Sequence, residues 1–202
     1  KSLEAVAYGL TDKPLLQQSD CFVFINGRVR TFNEHLFCDA PSGLGKEFQG
    51  AVTAKKMREV LPKLKGDEVE VTQENGRLVV KDGIDTVWFH MQSEVSLPTD
   101  GVEMPKKWEP LSPSVAEAVD MARKLVYDDT SYPSMTSVHF TPDHIEACDF
   151  MQAIRWQINL LTKEPFLLQG KWLKAVSKME PTKFGLTRAW AHFQNEVGLV
   201  VS

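Results

Sequence analysis

Hydrophobic and polar positions along this chain switch repeatedly between a period of about 3.6 and a period of two, which predicts short helices alternating with strands. The clearest case is residues 50–82. Met57, Val60, Leu61 and Leu64 fall at i, i+3, i+4 and i+7, one face of a helix over 54–64, while Lys55, Lys56, Arg58, Lys63 and Lys65 take the other. Thr53 is placed to cap this helix, Gly66 to end it, and Pro62 to loosen its last turn by removing a backbone donor. Alternation then resumes at Val69-Glu-Val71 and Leu78-Val-Val80 around Glu74-Asn75-Gly76, a hairpin signal.

The same unit recurs. Asn33 and Asp149 are 149 − 33 = 116 residues apart, as are Lys55 and Lys171, Arg58 and Lys174, and Val60 and Val176. The register runs unbroken from Phe24/Phe140 to the basic helices. It slips to 121 if Leu78-Val-Val80 is matched to Leu199-Val-Val201, which predicts five extra residues in the hairpin around Trp190. On that match nothing answers the strand 84–91, so one strand is expected to be missing at each end. The repeat implies two copies of one domain. The expected boundaries are 1–98, a Pro-containing linker at 99–110, and 111–202.

In order, the pattern predicts a helix at 2–10 and strands at 21–26, 28–33, 35–40 and 47–53. The basic helix follows, then strands at 67–73, 77–81 and 84–91. The second copy opens with a helix on Val115, Val119, Ala122 and Val126, with Ser114 and Glu117 spaced as a capping box. Strands follow at 136–141, 144–149, 151–160 and 164–169, then a helix at 170–179 and strands within 184–194 and 197–201. The class is α+β.

Composition narrows the function. The net charge is −4, yet residues 55–65 carry five bases and one acid, and residues 171–178 carry three bases and no acid. Basic helix faces on an acidic molecule suit sequence-independent phosphate contact, against the plainer reading of a solvated face. No apolar run is long enough to span a bilayer, and Cys21, Cys38 and Cys148 lack metal or disulfide spacing, so a soluble protein with reduced thiols is expected. Gly43-Leu-Gly45-Lys46 fails as a phosphate loop because Ala40 and Glu47 stand where Gly and Ser/Thr are needed. The five histidines form no metal pattern, and His144-Ile-Glu146 lacks a following Pro-Cys-x-x-Cys. These residues point to no enzyme, no cofactor and no metal.

The segments Gly50-Ala-Val-Thr-Ala-Lys-Lys-Met-Arg-Glu-Val-Leu-Pro-Lys-Leu, Glu68-Val-Glu-Val, Asn75-Gly-Arg-Leu-Val-Val, Val138-His-Phe-Thr and Ile145-Glu-Ala-Cys-Asp149 resemble those of the bacterial-type DNA sliding clamps, the beta subunit of the replicative polymerase. The resemblance covers nearly the whole chain and implies the DNA clamp fold. In that fold each domain is a duplicated βαβββ unit with helices on one face of antiparallel sheets, and six domains close a ring around duplex DNA. It implies a processivity factor of the cytoplasm and nucleoid that tethers a DNA polymerase. Lys55, Lys56, Arg58, Arg123, Lys124, Lys171, Lys174 and Lys178 would face DNA. The ring would be a dimer of longer chains or a trimer of two-domain chains. Polymerase and clamp loader would dock a short apolar peptide near Pro133, Met135, Cys148, Phe150 and Met151. The family's usual Asp-Gly-His-Arg at that pocket stands here as Asp149-Phe-Met-Gln152, which opens the question of what the pocket accepts. The alternative reading is a clamp-fold interaction module that does not encircle DNA; a remoter one is a hydrolase whose site lies outside these residues.

Overall fold

The computed structural model describes residues 1–66, 68–159, 162 and 164–202; the expected strand start at 67 and strand end at 160 fall outside them. The chain divides into two compact units, Lys1–Gly101 and Val102–Ser202. No helix of the described residues is long and apolar enough to cross a membrane.

The first unit opens with helix α1 (Ser2–Val6), which tightens into a 3₁₀ turn at Ala7–Gly9. Strands β1 (Cys21–Ile25), β2 (Arg28–Phe32), β3 (Phe37–Pro41) and β4 (Gly50–Thr53) form an antiparallel arrangement in the order β4-β1-β2-β3. Helix α2 (Ala54–Val60) passes into a 3₁₀ turn at Leu61–Lys63, the loosening that Pro62 predicts. A second sheet follows, β5 (Glu70–Glu74), β6 (Arg77–Asp82) and β7 (Asp85–His90), in sequence order. The β1–β2 and β5–β6 turns are both Asn-Gly, with φ of 53° and 74° at Asn26-Gly27 and 49° and 72° at Asn75-Gly76. Left-handed backbone at both central residues matches the twist of the flanking strands, which is why this dipeptide sets the register. Reciprocal hydrogen bonds between Ala51 and Gln92, 2.8 and 2.9 Å, tie β4 to the end of the second sheet. Phe22, Phe37, Val29, Met57, Leu78 and Val80 are buried in this unit.

The second unit repeats the plan. It begins with a two-residue strand β8 (Glu109–Pro110) and helix α3 (Ser114–Ala122). The strands β9 (Ser137–Phe140), β10 (His144–Cys148), β11 (Ala153–Gln157) and β12 (Phe166–Gln169) pair in the order β11-β10-β9-β12. Helix α4 (Leu173–Met179) leads to β13 (Lys183–Leu186), β14 (Ala191–Gln194) and β15 (Val200–Val201), with β8 on the far side of β13. Phe140, Phe166, Phe184 and Phe193 form a continuous aromatic column with centroids 5.0 to 6.4 Å apart, joining β9 and β12 to β13 and β14. Phe140, Phe184 and Phe193 are buried, each ring removing apolar area worth about 2–3 kcal/mol, so this column ties the unit's two sheets into one core.

Three local expectations are corrected. Ser114 and Glu117 form no capping box; the helix begins at Ser114 itself, one residue earlier than a capping Ser114 would allow, and the hydroxyl of Ser112 accepts from the Ser114 N–H at 3.4 Å. Thr53 occupies the cap position of α2 without a side-chain cap bond. The match of Leu199-Val-Val201 to Leu78-Val-Val80 is a coincidence of composition: among the described residues three strands follow each basic helix, so β15 answers β7, not β6. The hairpin insertion is smaller than expected, the loop growing from residues 75–76 to residues 187–190.

Candidate nucleic-acid interface and partner pocket

Ala54 and Met57 anchor α2 against its sheet, which turns Lys55, Lys56 and Arg58 to solvent. Lys56 shares its charge with Glu59 at 3.5 Å, an exposed pair worth little to stability. In the second unit Leu173, Ala175, Val176 and Met179 bury one face of α4, and Lys174 and Lys178, one turn apart, occupy the other. Lys171 is also exposed but lies in the turn before α4, its ammonium 4.7 Å from the Trp172 ring centroid. The helix starts three residues later than the expected 170, so Lys171 and Lys55 share a repeat position without sharing a helical one.

Arg123 and Lys124 are placed differently. Both lie just past the end of α3 and both are paired to Asp120: the Arg123 guanidinium reaches Oδ1 at 2.6 Å and the Lys124 ammonium Oδ2 at 2.5 Å. Hydrogen bonds from Lys124 and then Arg123 hold the Asp120 carboxyl well below the usual range. Two cations therefore present a net charge of about one. The spacing i, i+3 and i, i+4 was the sequence signal for this neutralisation.

The residues expected to dock a partner divide around a cavity of about 830 Å³ on the solvent side of the β11-β10-β9-β12 sheet. Met135 and Cys148 line it, with their sulfurs 3.6 Å apart, together with Ala153, Ile154 and Leu167. Pro133, Phe150 and Met151 do not line it. Pro133 serves through its carbonyl, which accepts from the hydroxyls of Thr136 and Ser137 at 3.0 and 2.8 Å. Phe150 and Met151 project from the β10–β11 turn, 61% and 88% exposed, rather than filling the core. The Phe150 backbone is left-handed, φ 73°. The turn is held by Asp149, whose Oδ1 accepts from the N–H groups of Met151 (3.0 Å) and Gln152 (2.7 Å).

One side of the cavity is polar. Glu146 accepts from Arg155 Nε and Nη2 at 2.9 and 2.8 Å and lies 3.0 Å from His139 Nδ1, contacts that keep its carboxyl below the usual range. Direct cross-strand registry, Glu146 opposite both His139 and Arg155, builds this cluster. Sequence reasoning did not find it, because residues on three strands meet only once the register is set. No group of three or more metal-ligating side chains occurs among the described residues.

No protein-family model and no curated protein matches the sequence. Solved structures do match. A Helicobacter pylori beta clamp bound to a DNA ligase peptide superposes with a TM-score of 0.79 at 14% identity, over 98% of this chain and 62% of that one. A sliding clamp (DNA polymerase III subunit beta) from Pseudomonas aeruginosa bound to griselimycin gives 0.79 at 11% identity, over 99% and 60%. A DNA polymerase III beta subunit from Thermotoga maritima gives 0.77 at 14%, over 99% and 60%. The chain therefore has the DNA sliding-clamp fold throughout, and spans about three fifths of the length of the clamps it matches.

Proposed function

We propose that this protein is a DNA sliding clamp, a non-catalytic processivity factor that encircles duplex DNA and holds a polymerase to it. The observation that carries the reading is the conjunction of a clamp fold over the entire chain with exposed basic residues on the helix of each repeat. Lys55, Arg58, Lys174 and Lys178, with Lys171 at the start of α4, make loose contacts to phosphates, and the absence of base readout lets the ring slide. Polymerase and loader dock an apolar peptide at the Met135–Cys148 cavity, as the fold's peptide-bound neighbour suggests. Work of this kind belongs in the cytoplasm, at the nucleoid.

The test is topological. Light scattering at micromolar concentration should give a closed oligomer, about three chains if this segment closes the ring alone. The protein should remain on nicked circular DNA and be lost from the same DNA once linearised. Changing Lys55, Arg58, Lys171 and Lys174 to Glu should abolish polymerase stimulation while shifting the unfolding midpoint little, since exposed charges contribute about 0–1 kcal/mol each. A monomer held equally by circular and linear DNA would instead identify a clamp-fold interaction module.

A further inference from the structure

The β10–β11 turn carries a surface that the cavity alone does not explain. Tyr127, Tyr132 and Phe150 meet edge to face, with centroids 5.1, 5.5 and 6.0 Å apart, and Phe150 and Tyr132 remain at least half exposed. Met151, next in sequence to Phe150, is 88% exposed. This patch is continuous with the cavity: the Tyr127 N–H donates to the Met135 carbonyl at 2.8 Å, and the Met135 N–H to the Tyr132 carbonyl at 2.9 Å. Exposed aromatic and thioether groups opening into an apolar cavity are the usual anchors of a docked peptide.

The segments that carry the patch are acidic. Asp128 and Asp129 occupy the turn between the two tyrosines, and Asp149 precedes Phe150. Residues 125–152 contain no lysine or arginine. Among the described residues none of these three carboxylates enters an ion pair. Arg155, across the cavity, is engaged by Glu146.

We propose that this surface docks a peptide segment in which apolar residues are flanked by lysine or arginine. The apolar residues would enter the Met135–Cys148 cavity and pack on Phe150 and Met151, while the basic ones face Asp128 and Asp129. The inference rests on the partner reading above and specifies its chemistry. An acidic rim attracts such a segment and repels nucleic acid and acidic peptides.

Three labelled peptides with one Leu-Leu-Phe core, flanked by lysine, glutamine or glutamate, test this by fluorescence anisotropy on the full chain. The lysine-flanked peptide should bind about tenfold tighter than the glutamate-flanked one at low salt, with the gap closing as salt screens the rim. Replacing Asp128 and Asp129 together by Asn keeps the Asp129–Ser131 turn bond possible and should also close the gap, leaving the glutamine-flanked peptide unchanged. Phe150→Asp should weaken the glutamine-flanked peptide. If glutamine-flanked peptide binds and depends on Phe150 but lysine brings no advantage, the charge selectivity is wrong and the partner pocket stands. If no peptide binds, both fall.

Discussion

Phe150 occupies a backbone conformation that a side chain with a Cβ enters at a cost of roughly 1–2 kcal/mol, held there by the Asp149 carboxylate. Its ring contacts mask that cost in any single substitution. Phe150→Ala and Phe150→Gly remove the same ring, so their difference isolates the strain. Urea unfolding should show the Gly variant more stable by about 1 kcal/mol, the reverse of the usual order. An Ala variant equal to or more stable than Gly would show that the turn stores no strain. His192 poses the opposite problem, a polar ring fully buried in β14 with Ser202 Oγ 2.7 Å from Nδ1 and Thr187 Oγ1 3.3 Å from Nε2. Burial lowers its pKa from 6.5 to about 4, so the folded protein keeps the ring neutral where the unfolded chain protonates it. Stability is unaffected by this group above about pH 6.5 and is lost as pH falls toward 4, on the order of 3 kcal/mol in all. Denaturant midpoints between pH 7 and 4.5 should therefore fall less steeply in His192→Gln than in the wild type.

At the scale of elements, α3 differs from α2 and α4 in how it presents its bases. Asp120 binds both Arg123 and Lys124, whereas α2 exposes Lys55 and Arg58, for which no salt bridge is found among the described residues. Asp120→Asn should raise the net charge of the cluster from about one to two, strengthen DNA retention, and steepen its salt dependence by about one phosphate contact. Stability should change little, because a carboxylate near a helix C-terminus opposes the macrodipole and offsets part of the pairing. Unchanged retention and salt slope would place the end of α3 away from DNA. The helices themselves were legible in the residues: the 3.6-residue spacing, Pro62 and the two Asn-Gly turns depend on neighbours within a few positions. The capping box and the Leu-Val-Val match were misread for the same reason. Short motifs recur by chance, and only hydrogen-bond geometry distinguishes Ser112 from Ser114 or β15 from β6.

For the whole molecule, the exposed bases lie on a chain of net charge −4; under the proposed clamp function, weak phosphate contact would be concentrated on the helices and the remaining acidic surface would disfavour indiscriminate binding. Such contacts are screened by salt, which is compatible with mobility along DNA only if encirclement, rather than affinity, prevents escape. Duplication of the domain, the α+β class, the amphipathic helices with their basic faces, and the resemblance to sliding clamps were all determined by the sequence, because local periodicity and a constant repeat spacing survive without knowledge of the fold. Tertiary structure alone decided what long-range strand register brings together. It placed Glu146 between His139 and Arg155, opened the Met135–Cys148 cavity beside them, and set Tyr127 and Tyr132 against Phe150. Those neighbours come from separate strands and turns, and no spacing along the chain encodes the few ångströms that separate them.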